Sequence, residues 1–267
     1  NLSAIIPEGF SSSTLPSTTL NVGQSMQFNI YPHNGQDVGT YSGELKISCT
    51  ENAELDTATA SYTIEKADLT ITAGDFSVAY GTTVDAAKAL ATVSYNGFVN
   101  GDDVSNLGGS LAFDLGAYAS NSTAGTTFAV TPGGLTSNNY NFIYVNGELS
   151  INKVNLTIAV EDYSVIYGTA VNDAKTQATV SYSGFVNGED ESVLGGTLTI
   201  DLGEYGPTSG AESTFVVALS GLTSANYNIS YTSGELTISK AQLTIKAADY
   251  NVPYGTIPTQ AMNIAVS

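Results

Sequence analysis

The chain has 267 residues with 7 Lys, no Arg and 25 acidic residues, giving a formal net charge of -18. This charge excludes nucleic acid and anionic membrane surfaces as partners, because both require clustered cations. No apolar run approaches the length of a membrane span, so we expect no membrane insertion. The single cysteine, Cys49, rules out a disulfide within the chain.

An internal repeat organises most of the sequence. Residues 67–153 align with 154–240 without a gap at an offset of 87, and 50 of the 87 positions are identical. The segment 241–267 begins a further copy, since Leu243-Thr244-Ile245 matches the start of each repeat. Self-similarity at a fixed period of this size is typical of tandem modules.

The N-terminal residues 1–66 are interpreted as a diverged repeat that lacks its first strands. Gly9-Phe10 aligns with Gly97-Phe98, and Gly39-Thr40 aligns with Gly125-Thr126, at offsets of 88 and 86. The segment 241–267 supplies those first strands. The sequence therefore predicts that one module is divided between the two ends of the chain.

Each repeat predicts an all-β fold. Leu69, Ile71 and Ala73 alternate with polar residues, and the same period of two recurs in the later apolar runs, as expected for half-buried strands. Frequent Gly-containing turns favour tandem sandwich-like, immunoglobulin-like modules. The alternative is an α+β module with one short helix, at Asp85–Leu90 or at Asp102–Leu107, where Asp102 is expected to cap. Asn146-Gly147 predicts a type I′ hairpin turn.

The repeated motifs resemble a known family. They are an opening Leu-Thr-Ile, then Tyr-Gly-Thr, Gly-Phe-Val-Asn-Gly-Asp, Asn-Tyr-Asn and a closing Gly-Glu-Leu-(Ser/Thr)-Ile-x-Lys. This order is similar to that of the MBG domain of the YGX type, found in tandem in large bacterial surface and adhesin-like proteins. The resemblance implies an extracellular, cell-surface and non-enzymatic role, and it provides no catalytic residues.

Catalysis has little support in the sequence itself. Neither full repeat contains His or Cys, so a Ser-His or Cys-His pair is impossible there, and His33 and Cys49 are single residues. We expect no enzyme activity and no cofactor.

Three binding or crosslinking chemistries remain as alternatives to a purely structural role for these side chains. Calcium is a candidate because acidic residues recur in turns and near module ends, although none shows the spacing of a dedicated site. These residues are Asp75, Asp102, Asp103, Asp162, Glu189, Asp190, Glu191 and Asp249.

The other two alternatives use Lys and Tyr. The module-end lysines Lys66, Lys153 and Lys240 have Asn139, Asn141 and their repeats as candidate isopeptide partners. Tyr80, Tyr140 and Tyr144 could form a platform for glycans, but at strand spacing they more often face a core.

Two functional hypotheses follow. In the first, the chain is a subunit of a surface filament that assembles head-to-tail with copies of itself by strand complementation. The donor segment 241–267 completes residues 1–66 of a neighbouring subunit. Its inserted side chains are Leu243, Ile245, Tyr250, Val252 and Tyr254. In the second, the chain is a stalk segment of a multi-repeat adhesin that projects a domain binding host or cell-surface glycans or proteins.

The charge makes the first testable prediction. At physiological salt the protein should not bind heparin or DNA columns, because it has no Arg and a net charge of -18. Retention that weakens as salt is raised would show that the few lysines are clustered after all.

Overall fold

A computed structural model describes residues 1–15, 18–50, 56–247, 251, 253–255 and 264–266. The described part of the chain is built mainly from β-strands. None of its helices has the length and hydropathy of a membrane span.

The N-terminal 66 residues contain five strands: β1 (Leu2–Ile5), β2 (Phe10–Ser12), β3 (Ile30–Pro32), β4 (Gly39–Cys49) and β5 (Asp56–Ile64). They form a three-stranded sheet in the order β1-β4-β5 and a separate β2-β3 pair. Aromatic contacts join the two, because the Phe10 ring meets Tyr62 edge-on at 4.9 Å and Tyr41 stacks on Tyr62 at 5.1 Å.

The first repeat contains seven strands, one helix and one 3₁₀ turn. In chain order they are β6 (Ala67–Ala73), β7 (Phe76–Ala79), α1 (Val84–Leu90), β8 (Val93–Asn96), the 3₁₀ turn Val104–Asn106, β9 (Gly108–Asp114), β10 (Thr127–Thr136), β11 (Tyr140–Val145) and β12 (Gly147–Asn152).

The second repeat has the same elements in the same order. They are β13 (Val154–Val160), β14 (Tyr163–Ile166), α2 (Val171–Thr176), β15 (Val180–Ser183), the 3₁₀ turn Glu191–Val193, β16 (Gly195–Asp201), β17 (Thr214–Thr223), β18 (Tyr227–Thr232) and β19 (Gly234–Ser239).

Strand pairing is also the same in the two repeats. A four-stranded sheet has the order β7-β12-β10-β9 in one and β14-β19-β17-β16 in the other, and a three-stranded sheet has the order β11-β6-β8 or β18-β13-β15. The first strand of each repeat pairs in parallel with the strand after the Asn-Tyr motif, as in Tyr140↔Ala67 and Tyr227↔Val154. The prediction of tandem all-β modules is confirmed. The predicted short helix is present as α1 and α2, but it is one or two turns in a β module.

The core follows the predicted alternation. Leu69 and Ile71 in β6, and Leu156 and Ile158 in β13, have no exposed surface. Polar neighbours such as Thr70 and Thr157 face away, because successive side chains of a strand lie on opposite sides.

The prediction of a hairpin turn at Asn146-Gly147 is wrong. Neither residue has a positive φ, and β11 and β12 pair with different strands instead of with each other. Gly147 is required for another reason: a Cβ there would lie 2.6 Å from the Gly74 carbonyl oxygen and 2.7 Å from that of Ala73. The glycine in this motif therefore indicates a place where two backbone segments lie close together, and not a hairpin turn.

The described residues group into two compact units. One contains residues 1–78, 82–119 and 127–150, and the other contains residues 79–81, 120–126 and 151–267. The division does not follow the repeat boundary, because two loops of the first repeat belong to the same unit as the second repeat.

The C-terminal segment contains two short strands, β20 (Ile245–Ala247) and β21 (Ile264–Val266), which pair antiparallel. They correspond to the first strand and the strand after the helix in each repeat, which also pair antiparallel. Only the antiparallel sense agrees, because Ile71 lies opposite Tyr95 whereas Ile245 lies opposite Val266, so the interpretation of 241–267 as the start of a further repeat stays a prediction.

One buried hydroxyl makes a stability prediction. The Tyr163 hydroxyl is buried without a hydrogen-bond partner, and the first repeat has Phe76 at the same position. Tyr163→Phe should therefore raise the free energy of unfolding by about 1 kcal/mol, since an unsatisfied buried group is costly. Denaturant unfolding measures the change.

The matched control is Tyr205→Phe. The Tyr205 hydroxyl donates to the Thr169 carbonyl oxygen at 2.7 Å, so its removal should destabilise the protein by a similar amount. Destabilisation by both substitutions would contradict the assignment of Tyr163.

Candidate functional site

In the second unit, loops of the first repeat pack against a surface of the second repeat. We call this contact the filled junction. Its donor side is Tyr80, Gly81, Ser120 and Ala124, and its receiving side is Val186, Asn187, Glu189, Asn226 and Tyr227.

A single carboxylate is shared by two tyrosines at the centre of the filled junction. The Tyr80 hydroxyl donates to Glu189 Oε1 at 2.6 Å, and the Tyr227 hydroxyl donates to Oε2 at 2.5 Å. The two rings meet edge-on at 5.8 Å, and both residues are buried, with exposures of 4% for Tyr80 and 2% for Tyr227. Hydrogen bonds to an ionised acceptor are the strong kind, so this pair fixes the loop of the first repeat on the second.

Backbone groups complete the filled junction. The Ala124 N–H donates to Asn226 Oδ1 at 3.1 Å, and Asn187 Nδ2 donates to the Ser120 carbonyl oxygen at 3.1 Å. Gly81, with φ of +91°, lies so close to Val186 that a Cβ would be 2.7 Å from Val186 Cγ2. Only glycine combines this conformation with this approach.

The electrostatics of the filled junction keep its tyrosines protonated. Burial, followed by the hydrogen bond with Glu189, raises the pKa of Tyr227 to about 12. The same two causes raise the pKa of Tyr80 above its ordinary value. Deprotonation of either hydroxyl would remove a donor and place a second negative charge beside the carboxylate.

The first unit has the same receiving surface, formed by Val99, Asn100, Asp102, Asn139 and Tyr140. The Tyr140 hydroxyl donates to Asp102 Oδ2 at 2.7 Å, as Tyr227 does to Glu189. The Val38 N–H donates to Asn139 Oδ1 at 3.0 Å, in the place of Ala124. The diverged N-terminal segment thus repeats one part of the donor side, which supports its alignment with the repeat.

The described residues leave part of that receiving surface uncovered, and we call this part the open junction. A cavity of about 230 Å³ lies there. Its lining residues are Gly35, Gln36, Asp37, Val38, Ile64, Glu65, Ala67, Val99, Asn100, Asp102, Asn139 and Tyr140. Val99 is 46% exposed, whereas Gly81 covers the equivalent Val186 in the other unit.

Most of the acidic residues named as calcium candidates accept hydrogen bonds in the described structure. Asp102 does not cap the 3₁₀ turn as expected; Asp103 does, accepting from the Ser105 N–H at 2.8 Å, and Asp190 accepts from the Ser192 N–H in the second repeat. Asp75 and Asp162 accept from the Glu148 and Glu235 N–H groups.

No group of three or more His, Cys, Asp or Glu arranged to hold a metal occurs among the described residues. Asp249 lies outside them. Glu191 is the first residue of its 3₁₀ turn, and Asp102 and Glu189 are the carboxylates of the two junctions.

Two of the three module-end lysines bind backbone carbonyl oxygens, and the third forms an ion pair. Lys66 Nζ donates to Ser137 and Lys153 Nζ to Ser224, each at 2.9 Å, and Lys240 pairs with Glu212 at 2.8 Å. The amides of Asn139 and Asn226 are engaged with backbone N–H groups at the junctions. Lys66 and Asn139 both line one cavity, so the isopeptide pairing stays a prediction.

The tyrosines suggested as a glycan platform are mostly inside. Tyr80 and Tyr140 are 4% and 3% exposed and belong to the junctions, while Tyr144 is half-buried in β11. Tyr80 and Tyr140 therefore occupy core positions with hydrogen-bonded hydroxyls, which is the alternative to a glycan platform.

The proposed donor-strand residues are exposed where they are described. Leu243 is 67% exposed, Ile245 is 65% and Tyr254 is fully exposed. Their counterparts in the first repeat, Leu69, Ile71 and Tyr80, are 0%, 0% and 4% exposed. Tyr250 and Val252 lie outside the described residues.

The sequence did not identify Asp102 and Glu189 as junction residues, or Asn139 and Asn226 as acceptors. The available signal was their recurrence 87 residues apart in turns that also contain exposed apolar residues. Turn chemistry and calcium binding use the same residue types, so the signal could not be assigned without the fold.

Comparison with known families found a match at both repeats. The model of the MBG domain (YGX type) matches residues 69–150 and 156–237, which together exceed half of the chain. A comparison with curated proteins found no match. Among solved structures, the chain is similar to the crystal structure of the I9–I11 tandem from titin. The identity is 11%, the coverage is 90% of this chain and 94% of that chain, and the TM-score is 0.23, so this likeness carries no conclusion.

The raised tyrosine pKa predicts alkaline sensitivity. Because the pKa of Tyr227 is higher in the folded state, its contribution to the free energy of unfolding is complete below pH 10 and is lost towards pH 12. Tyr227→Phe should destabilise the protein at neutral pH and flatten the fall in stability over this range. Denaturant unfolding at a series of pH values measures both effects.

Tyr254→Phe serves as the control, since Tyr254 is fully exposed in this chain. It should leave the alkaline profile of the monomer unchanged. An identical alkaline profile for the wild type and Tyr227→Phe would contradict the assignment.

Proposed function

The chain belongs to the MBG domain family of the YGX type, with two members in tandem, and on this premise we propose that it is a non-enzymatic structural protein of the extracellular cell surface. In this proposal it is a subunit of a filament in which residues 241–267 of one copy complete residues 1–66 of the next. The observation that carries the proposal is an unpaired strand edge in the N-terminal segment.

That edge belongs to β5. In both full repeats the strand that ends the module, β12 or β19, has a neighbour on each side, namely β10 and β7 or β17 and β14. The equivalent strand β5 has only β4 beside it among the described residues. A strand that exposes a row of N–H and C=O groups is a ready site for strand addition.

The repeat fixes which residues fill the edge and in what register. β14 pairs with β19 in parallel, with Tyr163 opposite Leu236 and Val165 opposite Ile238. Shifted by whole repeats, this places Tyr250 opposite Tyr62 and Val252 opposite Ile64. The two apolar donor residues lie two apart and therefore on the same side of the strand.

The remaining donor residues have a matching apolar space. Leu2, Leu15, Leu20, Met26, Phe28 and Ile47 line a cavity of about 240 Å³ in the N-terminal segment. Leu243 and Ile245 are exposed, whereas their counterparts in the full repeats are completely buried. Burying both stabilises a joint by roughly 3–6 kcal/mol before the cost of association.

Because donor and receiving surfaces are different parts of the chain, the contact is heterologous. Such contacts build rings when the rotation closes and open filaments when it does not. The sequence-level alternative remains a stalk segment of a longer adhesin, in which consecutive modules join within one chain and the protein is monomeric.

The test is concentration-dependent assembly of the purified chain, followed by sedimentation velocity and electron microscopy. The wild type should form linear assemblies. Leu243→Asp with Ile245→Asp should leave monomers with unchanged circular dichroism, because both side chains are exposed in the single chain and a buried charge is costly in the joint.

The matched control is Val104→Asp with Val193→Asp, which adds the same charge at residues that are 53% and 47% exposed in the 3₁₀ turns. This variant should assemble like the wild type. A wild-type chain that remains monomeric at all concentrations, or a donor-strand variant that still assembles, would contradict the proposal and favour the stalk.

A further inference from the structure

We propose that the cavity of the open junction is a binding site for the Tyr254–Gly255 turn of a second copy of this chain. This inference rests on the proposed function and names the residues that stabilise the contact between two subunits. We call this contact the lock. It assigns to Asp102 the role of the carboxylate that receives the incoming tyrosine.

The filled junction is the template for this site. There, Tyr80 lies edge-on to Tyr227 and donates to the Glu189 carboxylate, and Gly81 lies directly on Val186. The receiving residues of the open junction occupy the same positions one repeat earlier, with Tyr140 for Tyr227, Asp102 for Glu189 and Val99 for Val186.

The open junction has the vacancies that this ligand would fill. Asp102 accepts from Tyr140 through Oδ2, and Oδ1 has no hydrogen-bond partner among the described residues. Glu189 uses the corresponding second oxygen to hold Tyr80. Val99 is 46% exposed, at the place where Gly81 covers Val186.

The strand pairing of the proposed filament leads the turn to this cavity. In each full repeat the N–H of the tyrosine that follows the added strand donates to the last residue of the strand that ends the module. Tyr80 donates to the Asn152 carbonyl oxygen and Tyr167 to that of Ser239, each at 2.8 Å. The equivalent acceptor in the N-terminal segment is Glu65. Glu65 and Ile64 line the cavity, so a strand paired with β5 ends at its mouth.

The incoming turn has the required shape before it binds. Gly255 has φ of +90°, compared with +91° for Gly81 and +93° for Gly168. No described residue lies within 4 Å of a Cβ built at Gly255, and Tyr254 is fully exposed. A preformed and unpartnered turn loses little conformational freedom on docking.

The test measures the critical concentration for assembly of full-length variants. Tyr254→Phe removes only the hydroxyl and should raise the critical concentration about tenfold, as expected for the loss of a hydrogen bond to a charged group. Asp102→Asn should have a comparable effect, whereas Asp102→Glu should assemble, because the filled junction uses glutamate.

A double-mutant cycle separates direct contact from damage to the fold. Once Tyr254→Phe is present, Asp102→Asn should raise the critical concentration little further, because the two substitutions remove the same hydrogen bond. The control is Tyr167→Phe, an equivalent turn whose tyrosine is 47% exposed. In the proposed joint it faces the N-terminal segment, where the uncharged Thr14 aligns with Glu189, so assembly should be unchanged.

The outcomes distinguish this inference from the proposed function. If the wild type assembles and the donor-strand variant does not, but Tyr254→Phe and Asp102→Asn have no effect or act additively, the filament stands and the lock is wrong. If the wild type does not assemble, the proposed function fails and the lock fails with it.

Discussion

One shared carboxylate holds a loop of the first repeat on the second repeat. Glu189 accepts hydrogen bonds from Tyr80 of the preceding repeat and Tyr227 of its own repeat, on the two oxygens of the same group. Both rings are buried, so the contact combines apolar area with strong, directional hydrogen bonds. A carboxylate with one tyrosine leaves an oxygen free, and this difference separates the filled junction from the open one.

Glycine makes the close approach at the same junction possible. Gly81 needs a positive φ and also the absence of a side chain, since Val186 occupies the space of a Cβ. The Tyr-Gly pair is therefore a single recognition unit: the tyrosine supplies the hydrogen bond and the glycine supplies the fit. The chain carries this unit three times, at Tyr80, Tyr167 and Tyr254, and only the first of them lies in a filled junction.

The N-terminal segment contacts the first repeat through the same kinds of group that join the two repeats. Its sheet order, β1-β4-β5, differs from that of either repeat. Even so, the Val38 N–H meets Asn139, and Lys66 meets the Ser137 carbonyl, with the same geometry as Ala124 and Lys153 in the second unit. These contacts use mainly backbone groups and so tolerate changes in the surrounding side chains.

The sequence alone determined the period, the tandem repeat and the all-β class. Alternation at Leu69 and Ile71 is a local property, because each strand residue faces one side or the other whatever its partner is. By contrast, the partners of Asn146-Gly147 and the roles of Asp102 and Glu189 required the tertiary structure.

The physical reason is the range of the interactions. A turn motif records which backbone angles a residue tolerates, but Gly147 is needed because β12 passes close to Gly74, far away in the chain. An acidic residue in a turn can cap, bind a cation or accept from a tyrosine, and the local sequence is the same in each case. Tyr80 and Glu189 are 109 residues apart in the chain, and only the packing of their loops brings them together. This packing makes the Glu189 carboxylate a hydrogen-bond acceptor for a tyrosine.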